Sequence, residues 1–489
     1  MTNELMLETE MELIPEVKQT QKRILFIIPY IGLIERIGIM QLSAIAKKMG
    51  HKVELATISG GDIEKKMQDF APDFVCYAIH SGEHTKIIKL NSGLKKKYNF
   101  KSVFGGPHAM FHPQIIEEDG IDIVCIGEAE EVLMDILDEK PLKDIQGIHY
   151  KENGKTYFTG QRPLERDLDK YPFPDRELLY AYEKELANHG EKRISISRGC
   201  PFICTYCWNN ELNKRGVGWA KLRVRSVDKV VEEVKQIKQK YPVKHLRFTD
   251  DTFNAVPIEW LREFAEKFGK LKIPFSCNVR AVLTRPEVVK LLRQAGCMTV
   301  FMAIETSNEK IRADLLKRYE TNEQIKNAVK WYHDEGIKVA TYSLCALPVE
   351  NPLEIDLATL EFNAQLKVDM SWASLFSPTP GTDLANYSIE NGYFSGNFDE
   401  LYSNTKTGSI LKIKNKNEVV NLQKFFGVCS SHPWLIPIVK QLIKLPPNRI
   451  YRYLQFAYYG WREKFILSES KPGIREVIKL IGLLRHHVG

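Results

Sequence analysis

The stretch RGCPFICTYCW at residues 198–208 decides the reading of this chain, because Cys200, Cys204 and Cys207 fall within eight positions of one loop. Their spacing, C-x3-C-x2-C, lets a short loop curl its thiolates around one metal centre. A four-iron, four-sulfur cluster takes one thiolate per iron, so three cysteines leave the fourth iron open to an external ligand. The competing reading is structural zinc. Zinc normally closes with four protein ligands in paired knuckles, and no second C-x2-C or H-x3-H follows here. Cys277 and Cys297 each stand alone in an apolar setting that suits an ordinary buried thiol.

The loop resembles the signature of the radical S-adenosylmethionine (SAM) superfamily, including an aromatic, Tyr206, just before the third cysteine. The resemblance implies that the open iron chelates the amino and carboxylate groups of SAM. It also implies reduction by an external donor such as flavodoxin or ferredoxin, yielding a 5'-deoxyadenosyl radical.

Outward from the loop, RISIS at 193–197 reads as a short strand running into the cysteines, and five further strands alternate with amphipathic helices up to SWASLF. Six strand-helix repeats predict a partial parallel (β/α)6 barrel of the TIM type, with its chemistry at the carboxyl ends of the strands. Asp250 and Asp251 end the second strand; side chains alternate along a strand, so at most one should point into the barrel mouth. The family resemblance puts a carboxylate there against the SAM ammonium, while helix capping is the structural alternative. Asn278 and Arg280 end the third strand, Glu305 and Thr306 the fourth. AIETS resembles the family's G-I-E-S element, with Ala303 replacing its glycine; Glu305 is expected to meet ribose hydroxyls or a barrel arginine, and Thr306 or Ser307 equally suits a helix cap. ALPVEN resembles the G-x-P-x-E-T element, with Ala346 in place of glycine and Pro348 expected beneath the adenine. SPTPGT at 377–382 resembles the P-x-P-G-T segment that ends the barrel in the cobalamin-linked branch; locally a proline-glycine turn accounts for it.

Upstream, residues 23–138 alternate apolar strands and amphipathic helices, which predicts a parallel sheet with helices on both faces, a Rossmann-like (flavodoxin-like) domain. Ligands of such sheets bind beyond the strands' carboxyl ends. The segments there supply Pro29 and Tyr30, His80, Ser81 and Gly82, Gly105, Gly106, Pro107 and His108, and Gly127 and Glu128. Gly105 and Gly106 let backbone and ligand approach closely. GGPH together with CIGEAEE resembles the cobalamin (B12)-binding domain that precedes many radical SAM domains, and the positions just named are its expected cobalamin contacts. The D-x-H-x-x-G motif that places a histidine beneath cobalt is absent, so the resemblance implies a base-off corrin with no named axial ligand. His80, His84, His108 and His112 read first as polar loop residues. A Rossmann-like domain that binds another ligand, or none, is the alternative.

With 489 residues the chain exceeds one core. The expected division is an N-terminal tail at 1–20, a cobalamin-binding domain at 21–150, a linker at 151–192, a radical SAM domain at 193–391 and a helical domain at 392–489. Apolar content of 44% and charged content of 27% suit a soluble globular protein, and nine scattered cysteines suit a reducing cytoplasm rather than a disulfide framework. The acidic N-terminus has no basic n-region before an apolar core, which argues against a signal peptide. Residues 440–489 hold ten Lys or Arg against three acids, a surplus that equals the whole net charge of +7. There Lys440, Lys444, Arg449 and Arg452 interleave with Tyr451, Tyr453, Phe456, Tyr458 and Trp461. A helical cap on the barrel comes first; a surface for an anionic or lipid-linked substrate, or a peripheral membrane contact, is the alternative. No nucleic-acid-binding signature appears.

The function expected is a cobalamin-dependent radical SAM methyltransferase, moving a methyl group from SAM through methylcobalamin to an unactivated carbon or phosphorus centre of a small-molecule or lipid-linked substrate. A cyclase or rearrangement enzyme with the same cofactors, and a SAM- or cobalamin-binding regulatory protein, are the alternatives.

Overall fold

The computed structural model describes residues 20–32, 34–214, 221–402 and 408–462. The acidic N-terminal stretch and the end of the basic tail lie outside them.

Strands β1 (Arg23–Ile28), β2 (Lys52–Thr57), β3 (Phe74–Ala78), β4 (Lys101–Gly105), β5 (Ile123–Cys125), β6 (Ile148–Glu152) and β7 (Lys155–Phe158) form one sheet in the order β2-β1-β3-β4-β5-β6-β7. The first five are parallel and the last two antiparallel. The continuous apolar run RILFII fits a strand covered on both faces. Ile24, Phe26 and Ile28 join one core layer and Leu25 and Ile27 the other. The 2-1-3-4-5 order reverses direction between β1 and β3, the switch point at which open α/β sheets bind ligands.

The first sheet runs past the boundary expected at residue 150. β6 and β7 extend the first sheet through residue 158, and the following segment is pinned between the two halves of the molecule. Buried Glu35 accepts from Arg176, Tyr180 and the Arg193 backbone, and Arg176 also reaches Glu233 at 3.2 Å. Such buried pairs fix geometry wherever both charges keep their partners.

Strands β8 (Glu191–Ile194), β11 (His245–Phe248), β12 (Phe275–Val279), β13 (Cys297–Glu305), β14 (Lys338–Cys345) and β15 (Met370–Leu375) form the second sheet, all parallel and side by side in chain order. The β8 and β15 edges do not pair, so the barrel is open, as six repeats predict. β9 (Ser197–Arg198) and β10 (Arg223–Val224) make a small antiparallel pair beside the cysteine loop. Alternate residues such as Val300, Met302 and Ile304 pack outward against the helices. The helix Glu309–Asp314 is capped by Asn308, whose Oδ1 accepts from Ile311 N, and not by Thr306 or Ser307.

Helix Lys416–Ser431 is buried along most of its length against β15, and Gln423 Nε2 donates to the Ala373 carbonyl at 2.7 Å. Helix Arg449–Arg462 crosses it and donates from Tyr459 Oη to the Ser371 carbonyl. The C-terminal helices thus cap the open edge of the barrel. Among the described residues no helix is long and apolar enough to cross a membrane.

Candidate active site

The cysteine loop leaves β9 through Gly199, whose φ of +87° is the left-handed turn that glycine adopts at no steric cost. Thr205 fastens it by donating from N to the Leu316 carbonyl and from Oγ1 to the Leu315 carbonyl. Cys200 and Cys204 are buried and Cys207 half-buried. Each sulfur has a polar neighbour: Thr252 Oγ1 lies 3.8 Å from Cys200 Sγ, Arg280 Nη1 3.4 Å from Cys204 Sγ, and Asn209 Nδ2 3.8 Å from Cys207 Sγ. Burial pushes the Cys200 thiol up and the Cys207 thiol to about 12, so neither ionises near neutrality unless a metal takes the proton's place.

The two aspartates part company, as alternation requires. Asp250 is 3% exposed and serves the backbone: Oδ1 accepts from Ser197 N at 2.6 Å, Ser197 Oγ at 2.7 Å and Ile196 N at 3.0 Å. It staples β11 to the chain entering the cysteine loop, and burial pushes its pKa up to about 6 despite those donors. Asp251 is the exposed member, held by Asn209 Nδ2 at 2.9 Å beside the cysteines. Asn278 bridges the barrel, accepting from Arg247 Nη2 at 2.5 Å and donating to the Asp250 carbonyl at 2.7 Å.

Beneath the loop lies a buried charge network. Glu320 Oε1 accepts from Arg280 Nε at 2.6 Å and Nη2 at 2.5 Å and from Arg318 Nη2 at 3.3 Å. Arg318 Nη1 is 3.6 Å from Glu305, which also accepts from Tyr206 Oη at 2.7 Å. Arg280 further stacks 3.7 Å over the Phe202 ring. Burial would raise the Glu320 pKa, but Arg318 and Arg280 hold it below the usual carboxylate range. Glu305 sits at φ +64° beside a register shift in β13, and Ala346 at φ +61°; both are non-glycine residues in the left-handed region, a strain that concentrates at functional sites. Of the two roles expected for Glu305, the barrel arginine is the contact present. Thr306 turns away from the loop to meet Thr359 Oγ1 at 3.3 Å, and Pro348 is buried. Arg318 and Glu320 belong to no motif in the sequence that would mark them as part of the site.

The carboxyl edges of the two sheets face each other across a cavity of about 660 Å³. Ala78, His80, Gly106 and Glu128 line it from the first sheet, and Ser195, Ser197, Arg198 and Thr249 from the second. Arg36 to Ile39, Gln41 and Leu42, and the segment after residue 158 through Leu168, Tyr171, Pro172 and Pro174, form further wall. A smaller apolar slot beneath, about 80 Å³, is lined by Phe26, Tyr77, Gly105, Gly106, Cys125 and Leu133 among others. Of the expected cobalamin contacts, only His80, Gly106 and Glu128 line the cavity, and Gly105 the slot. Pro29, Tyr30, Ser81, Gly82, Pro107, His108 and Gly127 do not line it. His108 is buried in a stack, 3.8 Å from the His84 ring and 5.3 Å from His112, with Nδ1 2.9 Å from Ser81 Oγ. Gly106, at φ +90°, admits no side chain for an internal reason: a Cβ would stand 2.8 Å from the Ile79 carbonyl oxygen.

Charge pairs tie the two edges together. Glu128 accepts from Arg223 Nη1 at 3.0 Å and Nη2 at 2.5 Å and pairs with Arg198 at 3.2 Å, and Arg198 reaches Glu130 at 2.6 Å. Trp208, directly after the third cysteine, stacks on Phe111, at the end of the short helix Pro107–Phe111 of the first domain, at 5.9 Å.

The donor set fits an open iron-sulfur cluster. Among the described residues no three His, Cys, Asp or Glu side chains converge tightly enough for a single metal ion. A cubane asks instead for three thiolates set apart, one to an iron, with hydrogen-bond donors near the sulfurs. Glu320 Oε2 and Arg318 Nε are buried without partners beside this loop, which suits a polar ligand such as SAM. The apolar slot opening into a polar-rimmed cavity suits a large, flat cofactor with an extended tail.

The model of the Radical SAM superfamily matches residues 194–360, and that of the B12 binding domain residues 26–137. A protein of Pyrococcus horikoshii described as an uncharacterized methyltransferase is 30% identical over 68% of this chain and 72% of its own length. The anaerobic magnesium-protoporphyrin IX monomethyl ester cyclase of Rubrivivax gelatinosus is 26% identical over 67% of this chain and 60% of its own. Among solved structures, the radical SAM methyltransferase TsrM of Kitasatospora setae, bound to tryptophan and a SAM analogue, superposes with a TM-score of 0.64 at 16% identity, over 76% of each chain. TsrM has also been solved with cobalamin and a [4Fe-4S] cluster bound. The chain belongs to the radical SAM enzymes that carry a B12-binding domain, and its cofactors are a [4Fe-4S] cluster, SAM and cobalamin.

Proposed function

We propose that the enzyme is a methyltransferase, moving a methyl group from SAM by way of cobalamin to an unactivated carbon or phosphorus centre. The observation that carries this reading is the cavity between the two carboxyl edges, lined by His80, Gly106 and Glu128 on the B12-binding side and, on the other, by Ser195, Ser197 and Arg198, the stretch that leads into the cysteine loop. When bound, the cluster supplies the electron that opens SAM, and cobalamin supplies a metal that carries a methyl group.

In this reading Cys200, Cys204 and Cys207 hold the cluster, and Asp251, exposed beside them, accepts from the SAM ammonium. Asp250 positions the loop rather than SAM, through its bonds to Ile196 and Ser197. Arg318 and Glu320 fix Arg280 and Glu305 and offer the unpartnered polar atoms that a nucleoside would satisfy. His80, Gly106 and Glu128 form the cobalamin wall, and the Arg198 and Arg223 pairs hold that wall against the loop. An external flavodoxin or ferredoxin supplies reducing equivalents.

Product analysis under anaerobic turnover tests the reading. Methyl transfer predicts S-adenosylhomocysteine and 5'-deoxyadenosine together. A cyclase, the reading favoured by the Rubrivivax relative, predicts the nucleoside without matching homocysteine product.

A further inference from the structure

We propose that the C-terminal helices dock the enzyme on an anionic lipid surface. The helix Arg449–Arg462 buries one side, with Tyr451, Gln455 and Tyr459 turned toward the barrel cap. Its opposite side should be polar if it faced only water. Instead Ile450, Tyr453 and Leu454 stand there, and Trp434, Ile438 and Leu445 stand exposed on the preceding helix and turn; all six are 50% to 69% exposed. An exposed apolar patch rimmed by charge marks an interaction surface.

The charge identifies the partner. Residues 434–462 contain five Lys or Arg and no Asp or Glu, and Lys444 and Arg449 are both exposed. Large apolar and aromatic anchors flanked by cations suit the boundary between lipid headgroups and acyl chains, where anionic lipids supply the opposite charge. A second copy of this chain supplies none: joining two such faces sets Lys444 and Arg449 against their equivalents. Residues 463–489 add five Lys or Arg against three Glu, so they do not neutralise the face either. This inference is independent of the methyl-transfer reading.

The test is flotation of the full chain with phosphatidylcholine vesicles, with and without phosphatidylglycerol. The protein should float with the anionic vesicles alone, and less so as salt is added. Ile450→Ser with Leu454→Ser should abolish flotation, and Lys444→Gln with Arg449→Gln should weaken partition about 30-fold. The second pair alters exposed side chains only, so it decides the matter even if the first loses its fold. No flotation with anionic vesicles, equal flotation with neutral ones, or a dimer in light scattering that Ile450→Ser with Leu454→Ser makes monomeric would overturn the proposal.

Discussion

Glu320→Gln should cost this enzyme more stability than any surface substitution of the same chemistry. One carboxylate oxygen at a residue 4% exposed takes nitrogens from Arg280 at 2.6 and 2.5 Å and from Arg318 at 3.3 Å. With Glu320 the buried cluster balances two guanidiniums against two carboxylates; the amide leaves Arg280 and Arg318 with Glu305 alone. Removing one partner of a buried ion pair costs about 3–5 kcal/mol, because the orphaned charge stays desolvated. The exposed Glu266 and Lys270 pair is the control, and Glu266→Gln should shift stability by no more than about 0.5 kcal/mol. Urea unfolding of the apoprotein at neutral pH reads both. The two arginines hold the Glu320 pKa below its ordinary value, so its contribution is present above the ordinary carboxylate range and lost as pH falls through the depressed pKa. The gap between wild type and Glu320→Gln should therefore close in acid. A Glu320→Gln midpoint equal to wild type at neutral pH would refute the reasoning.

Substituting Cys200, Cys204 or Cys207 with alanine should abolish 5'-deoxyadenosine formation while cobalamin binding, read by absorbance, stays intact. Gly106→Ala places a Cβ 2.8 Å from Ile79 O at φ +90°, a strain of about 1–3 kcal/mol, and should weaken cobalamin binding in a titration of the purified protein. Asp356 lies buried, accepts from Ala346 N at 3.0 Å, and burial raises its pKa from 3.8 to about 8. An acid whose folded pKa is raised destabilises the fold as pH climbs through that window. Asp356→Asn should therefore gain on wild type by up to about 1.4 kcal/mol per pH unit between about pH 5 and about pH 8, measured by unfolding at each pH.

Both sheets and the cysteine loop were legible because each rests on local pattern: RILFII alternates its side chains between two cores, and three thiols share one loop. What escaped depends on tertiary burial. KRYE at 317–320 looks like a solvated turn, yet Arg318 and Glu320 are among the most buried charges of the barrel, because β13 and the cysteine loop close over them. The proline-rich stretch after residue 160 breaks periodicity, which suggests a linker; prolines instead let Pro172 and Pro174 line the cavity with irregular backbone. GGPH reads as backbone open to a ligand, and Gly106 does line the cavity; what sequence cannot show is that its missing side chain also makes room for Ile79. In the C-terminal helix, aromatic spacing indicates packing, and Tyr451 does pack; Tyr459, which the spacing does not mark, packs on the same side, while Tyr453 on the opposite side faces outward.

The central claim is that cobalamin, in the cavity between the two carboxyl edges, lies close to a cluster held by the cysteine loop that follows Arg198. Electron paramagnetic resonance of the reconstituted enzyme, holding both reduced cluster and cob(II)alamin, tests it most directly. Such proximity predicts that reducing the cluster splits or broadens the cobalt signal through spin coupling, and that Cys204→Ala removes the effect with cobalamin still bound. A cobalt spectrum unchanged by cluster reduction would contradict the account.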